Sequence, residues 1–315
     1  MKRKPIIFDS SDGQNLRINM ISPWLKRTFG CKIVKLSLDG GFTCPNRDGY
    51  KGTGGCLFCS ESGSGDMASN TAKTGVSGIH DALNRQINLL SVKWPEARYI
   101  AYFQSHTNTY APVEELREKY EAALEHPEVV GIAIATRTDC ISEDVLNLLS
   151  ELNEKTFLWV ELGLQTIHES TAKAMNLCHT RADYDNTVER LSERSIRIVT
   201  HLILGLPGET KEMMLDSVRY VGRTFGLKLH MLNVVKGSGM EEICPDYVPF
   251  ATPEEYIELL IDAIELVPPE VTLHRISGDA PRSTLIAPEW SYKKRTILNG
   301  IHREMRRRNT WQGRL

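Results

Sequence analysis

Three cysteines within sixteen residues are the part of this sequence best suited to chemistry: Cys44, then eleven residues, then Cys56-Leu-Phe-Cys59. Thiolates are soft donors that suit zinc or iron–sulfur centres, and a Cys-x-x-Cys turn lets two sulfurs bite one metal centre. Four glycines between Cys44 and Cys56 let the backbone fold tightly around it. Two chemistries fit. A [4Fe–4S] cluster held by three thiolates leaves one iron open to chelate the amino and carboxylate groups of S-adenosylmethionine (SAM). An electron from the cluster then splits the sulfonium. A structural zinc site instead closes with four ligands, and Cys31, thirteen residues before Cys44, is its candidate fourth. Phe58 favours the first chemistry, because an apolar ring just before the last cysteine is placed to pack against adenine. Core packing alone also accounts for a buried phenylalanine.

The elements that must position this loop lie mostly after it. From about residue 95 the chain alternates short β-like runs (99–103, 130–135, 158–162, 198–204, 228–234 and 271–276) with helical patterns (112–124, 142–152, 168–175, 182–194, 211–224 and 253–266). Such alternation implies a parallel sheet with right-handed crossovers. About six repeats predict an α/β fold, an open (β/α)6-type partial TIM barrel with its chemistry on the loops at the C-terminal ends of the strands. Residues 31–80, rich in Gly, Ser, Thr and Asn, read as a long functional loop. The expected organisation is one domain over 1–315: cluster loop 40–65, barrel core about 95–280, and a C-terminal extension about 281–315 covering or extending the barrel mouth.

Four further segments carry a family signal with the cysteine loop: YFQSHTNTY at 102–110, ATRTDC at 135–140, ELGLQT at 161–166 and HLILGLPGE at 201–209. In this order, along nearly the whole chain, they resemble the radical SAM superfamily. Within it they resemble the branch of the Elongator Elp-type catalytic subunit and oxygen-independent coproporphyrinogen oxidase, and the YtqA/YhcC-type bacterial family. The resemblance implies that Cys44, Cys56 and Cys59 ligate the cluster. It implies that the 104–108 loop (Gln104, Ser105, Thr107 and Asn108) meets the SAM amino group and that Gln165 meets its ribose and carboxylate. Gly205 and Pro207 would border the adenine. Ala135, Leu177 and His201 stand where the wider branch often has Glu, Arg and Asp, which leaves His201 itself, Arg137, His179 and Arg181 as candidates to hold SAM. Plainer roles stay open: Gln165 as a loop cap, His201 as a satisfied core histidine, and Gly205–Gly208 as a strand-to-helix turn. Cys140, Cys178 and Cys244 read as inert thiols. No catalytic side chain is singled out.

The chain has 315 residues, a net charge of -2, 41% hydrophobic and 25% charged residues. That is an ordinary globular composition, so a nucleic-acid partner must be met by a local patch. One exists. Residues 291–315 hold Lys293, Lys294, Arg295, Arg303, Arg306, Arg307, Arg308 and Arg314 against the single acid Glu304. Ile297, Ile301 and Met305 give this segment one docked helical face. Trp290 and Trp311 flank it and are placed to stack on bases. A solvated helix face is the plainer reading. No apolar run is long enough for a membrane span, and the polar start lacks a signal-peptide core, so a cytoplasmic location is expected. Seven unevenly spaced cysteines then point to metal or catalysis rather than disulfides. The resemblance implies a 5′-deoxyadenosyl radical that abstracts hydrogen from an unreactive C–H, a flavodoxin- or ferredoxin-type electron donor, and a tRNA partner modified at its wobble uridine. Conversion of carboxymethylaminomethyl to aminomethyl is the concrete form. A radical SAM enzyme acting on a small metabolite and a non-enzymatic, zinc-dependent RNA-binding module are the alternatives.

Overall fold

A computed structural model describes residues 5–8, 16–63, 68–70, 75–222, 224–278 and 280–315. Residues 64 and 65 of the expected cluster loop, and residue 223 of the expected 211–224 helix, lie outside the described residues. In chain order the elements are α1 Ile21–Phe29, β1 Ile33–Asp39, β2 Ser69–Asn70, α2 Gly75–Ser91, β3 Arg98–Phe103, α3 Val113–Leu124, β4 Val129–Arg137, α4 Glu143–Lys155 and β5 Phe157–Gln165. There follow α5 Glu169–Ala174, α6 Arg181–Glu193, β6 Arg197–Leu204, α7 Lys211–Tyr220, β7 Gly226–Met231, β8 Val234–Val235, α8 Gly239–Ile243, α9 Pro253–Leu266, β9 Thr272–Arg275, β10 Leu285–Ala287 and α10 Lys294–Arg307.

The main sheet is parallel throughout, in the order β2-β1-β3-β4-β5-β6-β7-β9. Seven of these strands, excluding the two-residue β2, form a curled, open half-barrel. Its outer face carries the main apolar core, which Leu83, Leu116, Leu149, Leu215 and Leu260 build from the flanking helices. Several helices start where the sequence writes a cap. Ser142, Thr180, Thr210 and Thr252 each accept a backbone N–H of the first turn, and Thr180 and Thr252 form reciprocal capping boxes with Asp183 and Glu255.

The inner face is closed at the N-terminal ends of the strands. Met20 bridges Leu273 of β9, and α1 then crosses the barrel floor. Trp24 stacks on Phe157 with ring centres 6.0 Å apart and meets Phe225 edge-on at 5.2 Å. This plug closes the floor, and the cysteine loop sits at the C-terminal ends of the strands.

Several expectations are corrected. The sheet begins well before residue 95, because β1 and α2 lie inside the presumed 31–80 loop. From Val34 to Asp39 β1 (IVKLSLD) alternates apolar and polar residues, a strand signal overlooked amid the polar, glycine-rich composition of 31–80, and the sheet has seven full strands rather than six. β7 stops at Met231, and Val234–Val235 turns away to pair antiparallel with β10. α7 ends at Tyr220 rather than 224. The C-terminal segment meets the mouth at its start, where Ile286 and Ala287 of β10 pack with Cys56, Leu57 and Phe58, but its later part does not. α10 packs on α9 through Ile297, Ile301 and Met305, and the chain then runs to the opposite end of the barrel. There the Gln312 side chain donates to the carbonyls of Pro268 and Val271 at 2.8 and 2.7 Å and accepts from the Asn19 N–H at 2.9 Å. Trp311 is buried beside this anchor, and Trp290 donates its indole N–H to the Phe250 carbonyl at 3.2 Å. Both tryptophans are structural, not stacking platforms.

Candidate functional site

The cysteine loop folds back on itself and is pinned from two sides. The Arg47 and Asp48 N–H groups donate to the Cys44 carbonyl, Gly55 N–H to the Asn46 carbonyl, and Cys59 N–H to the Cys56 carbonyl. Asn46 donates to the Asn176 carbonyl at 2.5 Å, while the Asn176 amide reaches back to the Gly55 carbonyl at 2.8 Å. The Arg47 guanidinium gathers the carbonyls of Glu61 and Ser60 at 3.2 and 2.5 Å. Gly52 is required by close approach. A Cβ there would lie 2.3 Å from the Asn46 amide oxygen and 2.9 Å from the Cys178 sulfur. The polar, glycine-rich loop is therefore ordered by backbone hydrogen bonds rather than by apolar burial.

Cys44, Cys56 and Cys59 face one cavity of about 410 Å³ at the barrel mouth, a size suited to a small ligand. The Cys56 thiol is pushed well up, first by its hydrogen bond with Cys59 and then by burial. Two thiols this close ionise together only with a cation between them. Cys31 is elsewhere. It packs with the floor cluster at the start of β1, whereas the loop follows that strand's far end. The seven-residue strand separates them by roughly 20 Å. Among the described residues no three His, Cys, Asp or Glu side chains gather at a single-ion site. Cys140 is pushed up to about 12 by burial and by Asp139, as an inert thiol would be.

Of the other sequence-derived candidates, Phe58, Gln104, Thr107, Arg137, Gln165, His179 and His201 line this cavity. Ser105, Asn108, Gly205, Pro207 and Arg181 are not among its lining residues. Asn108 is buried and ties the β3 loop to β4 by donating to the Ala135 carbonyl at 2.8 Å. Gly205 turns beneath Phe250, where a Cβ would meet the ring at 2.7 Å. Arg181 lies over Tyr220 on the outside. Arg137 reaches the cavity, but four of its N–H groups are engaged, by Asp139 at 2.9 and 3.0 Å and by the Leu177 and Cys178 carbonyls at 2.9 and 3.1 Å. Its main work is to fasten the 177–178 turn. Non-glycine residues in the left-handed region gather here: His106, Gln165, Asn176 and Cys178, at φ of 57, 70, 54 and 54°. Such backbone is costly and is held where geometry matters. Several buried polar atoms also lack a protein partner, among them Thr107 Oγ1, His106 Nδ1 and His230 Nε2, all on lining residues.

Beneath the mouth lies a charged layer that the motif reading missed. Glu161 Oε2 accepts from Tyr102 Oη at 2.7 Å, from His201 Nε2 at 2.9 Å and from Lys228 Nζ. Its Oε1 accepts from Trp159 Nε1 at 2.9 Å and faces Lys35 Nζ at 3.7 Å. Burial alone would raise this carboxyl, but Lys228, Lys35 and the His201 hydrogen bond outweigh it and hold Glu161 well below the usual carboxylate range. Burial, helped by Lys228, lowers His201 to about 4, so its imidazole is neutral and donates. The missed signal was periodicity: Lys228 and His230 alternate with Leu227, Leu229 and Met231 in β7, where a strand covered on both faces should be apolar throughout.

A family model described as the radical SAM superfamily matches residues 47–221, and one described as the radical SAM C-terminal domain matches residues 225–307. The protein YtqA of Bacillus subtilis is 43% identical over 317 residues, covering 100% of this chain and 96% of that protein. This chain belongs to the radical SAM superfamily. A tRNA uridine(34) acetyltransferase of Methanocaldococcus jannaschii is 27% identical over 176 residues, 54% of this chain and 32% of that protein. The solved structure of archaeal Methanocaldococcus infernus Elp3 with an N-terminal deletion shares the fold, with a TM-score of 0.63 at 18% identity. It covers 89% of this chain, which spans 64% of that one. The protein is therefore a radical SAM enzyme, of a family that uses a [4Fe–4S] cluster and SAM. Three thiols, an apolar ring at Phe58 and unpartnered buried polar atoms around one cavity fit those two groups. No helix among the described residues is long and apolar enough to cross a membrane.

The loop's anchor gives radical SAM chemistry here an acid limit. Burial would raise the Asp139 carboxyl, but Arg137 and Lys51 hold it at about 2, below the ordinary aspartate value of 3.8. A depressed carboxyl contributes stability above its unfolded pKa and loses it as pH falls through the folded value. The thermal midpoint of the wild type should therefore fall between about pH 4 and 2, and Asp139→Asn should lower it at neutral pH and flatten that dependence. Parallel pH profiles of the two proteins would refute the anchor.

Proposed function

We propose that this chain modifies the wobble uridine of bacterial tRNA, converting a carboxymethylaminomethyl side chain to aminomethyl: with SAM as the two-electron acceptor, the carboxymethyl N–CH2 would lose a hydrogen atom and one further electron to give an imine, whose hydrolysis on release breaks the C–N bond and frees the two-carbon fragment as glyoxylate. In this reading Cys44, Cys56 and Cys59 hold the cluster and Phe58 packs on the adenine of SAM. Gln104, Thr107, Gln165 and His179 supply polar contacts around it. When bound, the two cofactors supply a 5′-deoxyadenosyl radical. The protein's part is to hold the target C–H against that radical and to keep water out, for which the plugged floor and the packed inner face of the half-barrel are suited. A loop nucleotide splays into such a cavity at little cost.

The observation that carries the tRNA reading is kinship with the tRNA uridine(34) acetyltransferase across half of this chain. The basic segment supports it in altered form. Arg307 and Arg308 are drawn into ion pairs with Glu304 and Asp262, and with Arg303 and Arg306 they sit toward the far end of α10. Lys293 and Lys294 lie exposed at its near end. There Ser291 is hydrogen-bonded at 3.0 Å to Asn233 of the cavity wall. Exposed lysines there are placed to meet tRNA phosphates. Nucleoside mass spectrometry of tRNA from a strain lacking the gene tests the reading. Wobble uridines should stall at carboxymethylaminomethyl, and an unchanged profile would move the assignment to a small-metabolite substrate.

A further inference from the structure

Two histidines on the inner face of the half-barrel have ring nitrogens that the protein leaves unused. His201 on β6 and His230 on β7 are diagonal neighbours, since Lys228 is the register partner of His201 and His230 is that of Ile203. Their ring centres lie 5.2 Å apart at a tilt of 48°, and both rings line the cavity. Each ring is neutral. Burial, helped by Lys228, holds His201 at about 4, and burial, helped by Arg275, holds His230 well below the usual histidine range. A neutral imidazole offers one donor and one acceptor, whereas a charged one offers two donors.

The surroundings decide which nitrogen does which. His201 spends its proton on Glu161, to which Nε2 donates at 2.9 Å. Its Nδ1 is therefore a bare acceptor, and 15% of the side chain stays open to the cavity. His230 makes no hydrogen bond among the described residues, and its Nε2 is buried without a partner. A buried orphan lone pair is tolerated better than a buried orphan N–H. That places the His230 proton on Nδ1, the nitrogen not sealed in the wall. The two rings thus present an acceptor beside a donor. Their neighbourhood is apolar or bare: Ile203, Met231 and Leu232 line the same cavity, and Gly163, the register partner of His201 on β5, adds no side chain. A flat ring with an N–H next to a carbonyl fits this setting.

We propose that His201 and His230 read the edge of the target uracil, His201 Nδ1 accepting from N3–H and His230 Nδ1–H donating to O4. The inference rests on the wobble-uridine reading and deepens it by naming the groups that recognise the base. Enzymes that work on a splayed-out base read it by such edge contacts. C5 is the neighbour of C4, so the two bonds also fix the direction in which the modified side chain leaves the ring. Cytosine presents the reverse order, an acceptor at N3 and a donor at C4, and leaves both imidazoles unpaired.

Titration calorimetry on the anaerobically prepared holoenzyme, its cluster unreduced and SAM saturating, compares two probes. These are 5-carboxymethylaminomethyluridine and 5-carboxymethylaminomethylcytidine, which share sugar and side chain. The wild type should bind the uridine at least about tenfold more tightly, as expected for a paired contact to one base. In His230→Leu the preference should fall to within about twofold. SAM affinity and the thermal midpoint should be no lower than in the wild type, because that substitution breaks no hydrogen bond. His201→Phe should lose the preference too, and His230→Leu alone decides if that variant is too unstable to titrate. A wild type without preference, or a preference kept in His230→Leu, overturns the pairing. So does a loss of SAM affinity that matches the loss of uridine affinity, which would give these nitrogens to the cofactor. The tRNA profile fails separately: a uridine preference with unchanged wobble nucleosides in the strain lacking the gene keeps the base-reading pair and removes the tRNA.

Discussion

Cys56→Ala, purified without oxygen, should be colourless, retain less than about a tenth of the wild-type iron and sulfide, and form no 5′-deoxyadenosine from SAM with dithionite. The expectation follows from the loop's construction. Cys56 and Cys59 are adjacent thiols that ionise together only around a cation, and Asn46 reaches the Cys56 sulfur at 3.5 Å from a backbone-pinned position. Each remaining thiolate is a soft ligand, but two alone leave the cluster open to solvent and loss. Cys31→Ala should keep the full brown colour, because Cys31 sits at the barrel floor. Iron and acid-labile sulfide assays decide between them. A colourless Cys31→Ala, or a Cys56→Ala with stoichiometric zinc that binds RNA, would restore the zinc-module alternative.

Glu161→Ala should cost about 3–5 kcal/mol of stability, the range for stripping one partner from a buried ion pair. It leaves Lys228 buried with only the Tyr102 hydroxyl at 2.9 Å in place of a carboxylate. The thermal midpoint of the cofactor-free protein should drop by about 10 °C. Glu161→Gln combined with Lys228→Met should recover much of that loss, because the two residues share one interaction and their effects do not add. Calorimetry of the single and double variants checks this. Purely additive losses would mean that the pair is not the energetic unit described above.

The sequence was informative where its pattern had a local cause. Strands β3 to β6 stand within three residues of their expected bounds, because long apolar runs alternate with well-capped helices. The three cysteines, Phe58, Gln104 and Gln165 were legible from spacing and family motif and converge on one cavity. Ser105, Asn108, Gly205 and Pro207 carried the same motif signal but are not among the residues lining that cavity: Asn108 donates to the Ala135 carbonyl and Gly205 turns beneath Phe250. The Glu161 layer was illegible because Lys35, Tyr102, Glu161, His201 and Lys228 are contributed by five strands, and only the curl of the sheet joins them. Trp311 shows the reverse error. A tryptophan beside a basic run suggests base stacking, yet the chain end tucks it under the barrel through Gln312.

The most direct measurement of the central claim is electron paramagnetic resonance of the anaerobically prepared, reduced protein, before and after SAM is added. A cluster held by Cys44, Cys56 and Cys59, with one iron left for SAM, predicts a reduced [4Fe–4S] signal whose g-values shift when SAM binds. A signal that SAM leaves unchanged, or a protein that holds its metal entirely through its own side chains, would contradict it.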